Sequence, residues 1–230
     1  MSSLAVPAGV IAVVRAATAA ECRTIVRGLI AAAVPAIELT MTVPDAVSII
    51  GEFAGSGTVL GAGTVLGAGT VLGAGTVLGA GTVLDPAACA DCAAAGARFI
   101  VSPVTDPGVL EQAHRCGVPY VGGALTPTEV LASMRAGSDA VKLFPIGSVG
   151  GAGYLRALRE PLPALRAVVS GGIAASEVNG YRAAGAHAVC LGGALIDRAA
   201  ARRGDVEAVA AQARRVIYQI TEAAGHAEDH

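Results

Sequence analysis

The chain has 230 residues, 53% of them apolar, 15% charged and 3% aromatic, with a formal net charge of −2 at pH 7. That is enough apolar material for a full core in one domain spanning 1–230. A near-neutral balance with few aromatics excludes the basic footprint and stacking platforms that nucleic acid requires, and no apolar run approaches 18 residues, so neither a membrane span nor a signal peptide is expected.

Along the chain one unit recurs: a short apolar run, then a longer amphipathic stretch. Strands are predicted at residues 10–15, 36–41, once within 57–84, and at 99–103, 119–125, 140–145, 166–173 and 188–196. Helical patterns such as 18–33, 87–95, 107–115, 128–136 and 177–184 lie between them. Asp85-Pro86, Asp106-Pro107 and Thr126-Pro127 each place a capping side chain before a proline suited to a first helical turn. Gly96, Gly117, Gly137 and Gly185 follow helical patterns and supply the left-handed cap that returns the chain to the next strand. Continuous apolar strands alternating with helices imply a parallel sheet. Eight such units point to an α/β fold of the closed (β/α)8 TIM-barrel type; a doubly wound open sheet offers no reason for eight similar units.

One segment is of low complexity. Gly-Thr-Val-Leu recurs in register at Gly57, Gly63, Gly69, Gly75 and Gly81, joined each time by Gly-Ala. A period of six suits a stacked β-helix, but inside an otherwise regular barrel it reads as a tandem expansion within 57–84. The last copy, 79–84, is expected to form strand three because Asp85-Pro86 starts the next helix at once. The surplus copies are expected to project from the end opposite the active face.

Five cysteines in a chain with no export signal suggest reduced thiols. Cys89 and Cys92 form a C-x-x-C, but no second pair or nearby histidine completes a zinc set. His114, His187, His226 and His230 are dispersed. No metal or cofactor is expected.

The sharpest chemical signal is Lys142, the sole lysine, set in the apolar run 139–145 while the other fifteen basic side chains are arginine. Arginine stays protonated, whereas a desolvated lysine can shed its proton and act as a nucleophile, which points to Schiff-base chemistry. A lysine snorkelling from a strand edge is the alternative. Side chains two apart on a strand share a face, so Lys142 faces inward with Ala140 and Phe144 while Val141 and Leu143 face the helices. On the second strand Glu38 shares its face with Ala36 and Thr40. Both strands are even-numbered, so the two charged residues can occupy one layer of a barrel interior. An inert ion pair there contributes little stability; a proton-transfer partner beside an amine nucleophile accounts for both residues. Gly171-Gly172 and Gly192-Gly193 fall near the ends of the last two strands, a common phosphate position in this fold.

These segments together resemble the 2-keto-3-deoxy-6-phosphogluconate (KDPG) and 4-hydroxy-2-oxoglutarate (KHG) aldolase family. They are Ile11-Ala12-Val13-Val14-Arg15, Ile37-Glu38-Leu39-Thr40, Gly79-Ala80-Gly81-Thr82-Val83-Leu84-Asp85-Pro86, Ile100-Val101-Ser102-Pro103, Val141-Lys142-Leu143-Phe144-Pro145, Ser170-Gly171-Gly172-Ile173 and Leu191-Gly192-Gly193-Ala194. The resemblance implies a metal-independent class I aldolase. It makes Lys142 the imine-forming residue, Glu38 the proton shuttle and Thr82 a holder of the pyruvyl carboxylate. Pro103 and Phe144 become walls of the pocket, while Ser170, Gly171, Gly172, Gly192 and Gly193 become the receivers of a distal phosphate. It also implies a cytoplasmic homotrimer whose partners are a 2-keto acid and a phosphorylated aldehyde. Two positions depart from the family pattern. Thr42 stands where many members carry a carboxylate-clamping arginine, for which Arg15 is the expected substitute, and Ser170 stands where a threonine is usual. The substrate expected is 2-keto-3-deoxy-6-phosphogluconate, with 4-hydroxy-2-oxoglutarate, the galactonate-derived isomer or a non-catalytic phosphate-binding barrel as alternatives.

Overall fold

Eight parallel strands close on themselves in chain order in the computed structural model, which describes residues 5–54 and 75–225. They are β1 (Gly9–Val14), β2 (Ala36–Thr40), β3 (Val77–Gly81), β4 (Ile100–Val101), β5 (Tyr120–Ala124), β6 (Ala140–Leu143), β7 (Ala167–Val169) and β8 (Ala188–Leu191). The last closes on the first, with Ile11 opposite Cys190. Among the described residues the helices are α1 (Ala19–Ala31), α2 (Ala46–Ala54), α3 (Pro86–Ala94), α4 (Pro107–Arg115), α5 (Pro127–Ala136), α6 (Gly151–Arg159), α7 (Val178–Ala183), α8 (Arg198–Arg202) and α9 (Val206–Gly225). The expected closed (β/α)8 barrel is the observed one. After β8 the regular unit splits: short α8 precedes long α9, which packs against α1.

The local signals act as their chemistry requires. Asp85, Asp106 and Thr126 each accept a hydrogen bond from the backbone N–H three residues on, satisfying one of the orphan donors at a helix start. Thr126 adds a reciprocal bond through Glu129. Gly137 caps α5 at φ 99°, a conformation that a residue with a Cβ adopts only under strain.

Two apolar regions sandwich the strands. Val141, Leu143, Ile37 and Leu39 point outward into the layer shared with the helices. Ile11, Val13, Val101, Val121 and Val168 fill the barrel interior. Small inward residues at Ala36, Ala140 and Ala188 make room for Phe99, whose ring would lie 2.5 Å from a Cβ added at Gly79. The C-x-x-C pair belongs to the outer layer. Burial pushes Cys89 up to about 12 and Cys92 up to about 11, so both are inert packed thiols.

Strand three differs from the expectation. It runs over Val77–Gly81, so the copy beginning at Gly75 supplies its start and the expected segment 79–84 only its first three residues. Thr82, expected inside the strand, sits just past it at φ 61°. That left-handed conformation ends the extended run. Identical copies could not reveal this: register is chosen by what each glycine faces across the barrel, not by local pattern. The copies beginning at Gly57, Gly63 and Gly69, and the expected direction of the surplus, lie outside the described residues. His226 and His230 lie outside them too. No helix among the described residues is long and apolar enough to cross a membrane.

Candidate active site

The register that closes the barrel places Glu38 opposite Val13 on β1 and Gly79 on β3, and Lys142 opposite Gly123 on β5 and Val168 on β7. Both side chains point into the interior, where they meet. Lys142 Nζ donates to Glu38 Oε1 at 3.0 Å and to Oε2 at 3.3 Å. The two residues are 4% and 1% exposed, so this is a buried ion pair rather than a lysine reaching for solvent. Gly81 is bare for a steric reason: an added Cβ would overlap the Glu38 carboxylate. At Gly123 an added Cβ would run into the Pro103 backbone.

The electrostatics of the pair work against a neutral amine at rest. Burial works against the ammonium and is the largest single influence on it. The Glu38 charge and the hydrogen bond to Glu38 work the other way, the Arg15 charge sides with burial, and Lys142 is held above the ordinary lysine range. Lys142 is thus held toward its ammonium form, and a neutral amine could be reached by passing one proton across the 3.0 Å contact. A carboxylate within hydrogen-bond reach makes that transfer local.

Cys190 is the third member of the interior group. Its Sγ approaches Glu38 Oε2 at 4.0 Å, and burial, followed by the Glu38 charge, pushes its thiol up to about 12. It stays a neutral S–H donor. The Phe144 ring centroid lies 5.8 Å from Lys142 Nζ, within the range where an aromatic face attracts a cation.

A cavity of about 460 Å3 is lined by Phe144 and Cys190, the neighbours of the pair, but by neither Lys142 nor Glu38. Seven predicted residues line it: Arg15, Phe144, Ser170, Gly171, Gly172, Gly192 and Gly193. Gly171 and Gly172 take φ of 92° and 73°, and a Cβ at Gly171 would come 2.9 Å from the Phe144 ring. Glycine is thus required by both backbone and neighbour. Pro103 lies instead in a second cavity of about 530 Å3, which shares Phe144 with the first. Thr82, half-buried, follows Gly81 at the end of β3 and lines neither cavity. Its β-branched side chain at positive φ is a local strain of the kind that collects at functional positions. Thr42, where a clamping arginine was expected, is 2.9 Å from the hydroxyl of Thr40, which also donates to the Val14 carbonyl.

Five lining residues were not among those predicted, Val13, Ile173, Ala174, Cys190 and Arg198, of which the last two bring polar groups. Cys190 was legible in retrospect, being two residues from inward Ala188 and two before Gly192. Arg198 was not: it belongs to α8, which no motif announced, and it reaches back to Arg15. Among the described residues no group of three His, Cys, Asp or Glu side chains is placed to hold a metal ion.

Comparison with known proteins bears on the family and the fold. The family model described as KDPG and KHG aldolase matches residues 71–212. The 2-dehydro-3-deoxy-phosphogluconate aldolase of Treponema pallidum (strain Nichols) is 32% identical over 124 residues, 54% of this chain and 59% of that protein. The probable 2-dehydro-3-deoxy-6-phosphogalactonate aldolase of Rhizobium meliloti (strain 1021) is 39% identical over 103 residues, 44% of this chain and 47% of that one. In both cases the match spans less than two thirds of the relative's length. Among solved structures, the 4-hydroxy-2-oxoglutarate aldolase/2-deydro-3-deoxyphosphogluconate aldolase from TTHB1 superposes with a TM-score of 0.66 at 30% identity, covering 89% of this chain and 94% of that one.

Proposed function

This chain belongs to the KDPG and KHG aldolase family, and from that premise we propose that it is a class I aldolase, cleaving 2-keto-3-deoxy-6-phosphogluconate to pyruvate and glyceraldehyde 3-phosphate. The observation that carries the proposal is the buried contact of 3.0 Å between Lys142 Nζ and Glu38 Oε1, beside a cavity lined by Arg15 and by both glycine pairs.

The proton inventory closes with these two residues alone. Lys142 gives its proton to Glu38, and the neutral amine attacks the substrate C2 ketone. Glu38 returns that proton to the departing C2 oxygen, the attacking nitrogen gives up a second proton to the same oxygen, water leaves, and a cationic iminium with one N–H remains. Glu38, again a carboxylate, takes the C4 hydroxyl proton as the C3–C4 bond breaks, and the bonding pair flows into the iminium to give a neutral enamine. The aldehyde leaves, Glu38 delivers its proton to C3, and water hydrolyses the restored iminium to pyruvate and the Lys142 ammonium. The iminium lowers the barrier by receiving an electron pair that would otherwise form a free carbanion. Thr82 is proposed to hold the pyruvyl carboxylate, Pro103 and Phe144 to exclude water from the imine, and Ser170 with Gly171, Gly172, Gly192 and Gly193 to receive the phosphate. Arg15, expected as the substitute carboxylate clamp, lines the cavity with the glycine pairs rather than with Thr82, which favours a contact with the distal end.

The galactonate-derived isomer is the second reading, favoured by the 39% identity to the Rhizobium protein. The family resemblance also supports a homotrimer in the cytoplasm, for which light scattering on a sizing column is expected to read three times the 22.5 kDa chain.

Borohydride reduction in the presence of pyruvate tests the central step. We expect one pyruvate-derived adduct, mapped to the peptide carrying Lys142; no adduct, or one confined to the N-terminal amine, overturns the proposal.

A further inference from the structure

The cavity beside the ion pair is lined by two arginines and by no carboxylate-bearing residue. Arg15 leaves the end of β1, and Arg198 opens α8 just after Asp197, whose carboxylate accepts from the Ala200 N–H. Arg198 Nη1 donates to the Arg15 carbonyl oxygen at 3.1 Å, so the two residues are joined across the gap between β1 and α8. A guanidinium offers five N–H donors in a planar fork, and this one backbone contact leaves a fork for a ligand. Like charges held at one wall repel each other, and an anion between them relieves that repulsion. The remaining polar groups of the wall are neutral: the Ser170 hydroxyl and the glycine backbone. Two neighbouring cations with neutral donors suit a compact dianion such as a phosphomonoester better than a single carboxylate.

We propose that Arg198 is a specificity-determining residue that joins Arg15 around the distal phosphate, setting the preference for a phosphorylated 2-keto acid over one ending in a carboxylate. The inference rests on the aldolase reading and narrows its substrate class. Arg198 also ties the end of β1 to α8, so a purely structural role has to be separated from a charge role. Arg198→Gln makes that separation, because glutamine keeps an N–H donor for the Arg15 carbonyl and removes the charge; Arg198→Lys keeps the charge and removes the fork.

Steady-state kinetics on 2-keto-3-deoxy-6-phosphogluconate and on 4-hydroxy-2-oxoglutarate read the difference. For Arg198→Gln, KM for the phosphorylated substrate is expected to rise about tenfold, the scale of one charge-assisted hydrogen bond. Its kcat is expected to hold, as loss of binding shared by ground and transition states requires. KM for the dicarboxylate is expected to stay unchanged or fall, and Arg198→Lys to lie between. Equal loss on both substrates, or none on the phosphorylated one, overturns the inference. Borohydride trapping of pyruvate does not use the distal end and is expected to persist in Arg198→Gln. If the wild-type chain traps no pyruvate, the aldolase reading fails by itself. Phosphorus NMR titration of both proteins with inorganic phosphate then decides the anion site alone: weaker binding in Arg198→Gln upholds it, and equal binding overturns it.

Discussion

At the scale of single residues, the protein is organised around what fits beside Glu38. Its carboxylate has Lys142 on one side, Cys190 on another, and the bare face of Gly81 against its stem. Each neighbour limits where the proton acceptor can sit, and an acid–base group works only from hydrogen-bond distance. Gly81→Ala tests the steric part. The added methyl is expected to push the carboxylate off Lys142 and lower kcat about 100-fold, the low end for losing general acid–base catalysis. It is also expected to destabilise the fold by about 1–3 kcal/mol through overpacking. A variant with half the parental kcat would show that the close fit at Gly81 does not position the shuttle. The thiol of Cys190 is neutral across the working pH range because burial pushes it up to about 12, so it adds no competing charge beside the carboxylate.

At the scale of elements, the helix boundaries were the most legible part of the sequence. Asp106-Pro107 marked the start of α4, and Asp106 accepts the Val109 N–H at 2.9 Å. Asp106→Ala is expected to lower stability by about 1 kcal/mol, seen as a lower urea midpoint with an unchanged slope; an unchanged midpoint would mean the cap is replaced by solvent. Strand ends were less legible. The runs 140–145 and 166–173 looked like strands to their ends, whereas the ladder stops at Leu143 and Val169. Beyond those points the backbone turns to build the site: Gly171 and Gly172 go left-handed and Phe144 rotates over the cavity. Apolar composition continues through both states, so composition cannot mark the change. β3 is the extreme case, because five identical copies carry identical local preference.

At the scale of the whole molecule, closure brings together groups far apart in sequence at both ends of the barrel. One end holds the cavity. At the other, Val6 joins the interior apolar cluster while His187 Nε2 lies 3.1 Å from the Val6 carbonyl, to which the ring can only donate, and 3.4 Å from Arg166. Burial lowers His187 below the usual histidine range; the Val6 hydrogen bond opposes this and the Arg166 charge assists it. A base depressed in the folded state binds its proton more readily once unfolded. It therefore withholds no stability above its unfolded pKa of about 6.5 and removes stability as pH falls through that value toward the folded one. Urea midpoints are accordingly expected to fall between pH 7.5 and pH 5.5, with a smaller fall in His187→Gln. An equal fall in both would assign the effect to other groups.

The sequence by itself determined the barrel, the helix caps and the identity of the buried lysine–glutamate pair. Those depend on short-range preferences, on the period of the apolar pattern, and on one lysine where fifteen arginines would have served for charge. Only the tertiary structure decided the rest. Which hexad copies make β3, that Lys142 is held above the ordinary lysine range, and that Arg198 stands beside Arg15 depend on groups brought within a few ångströms by closure. A proton's affinity, a steric fit or a paired charge is a property of that proximity, and no local pattern encodes it.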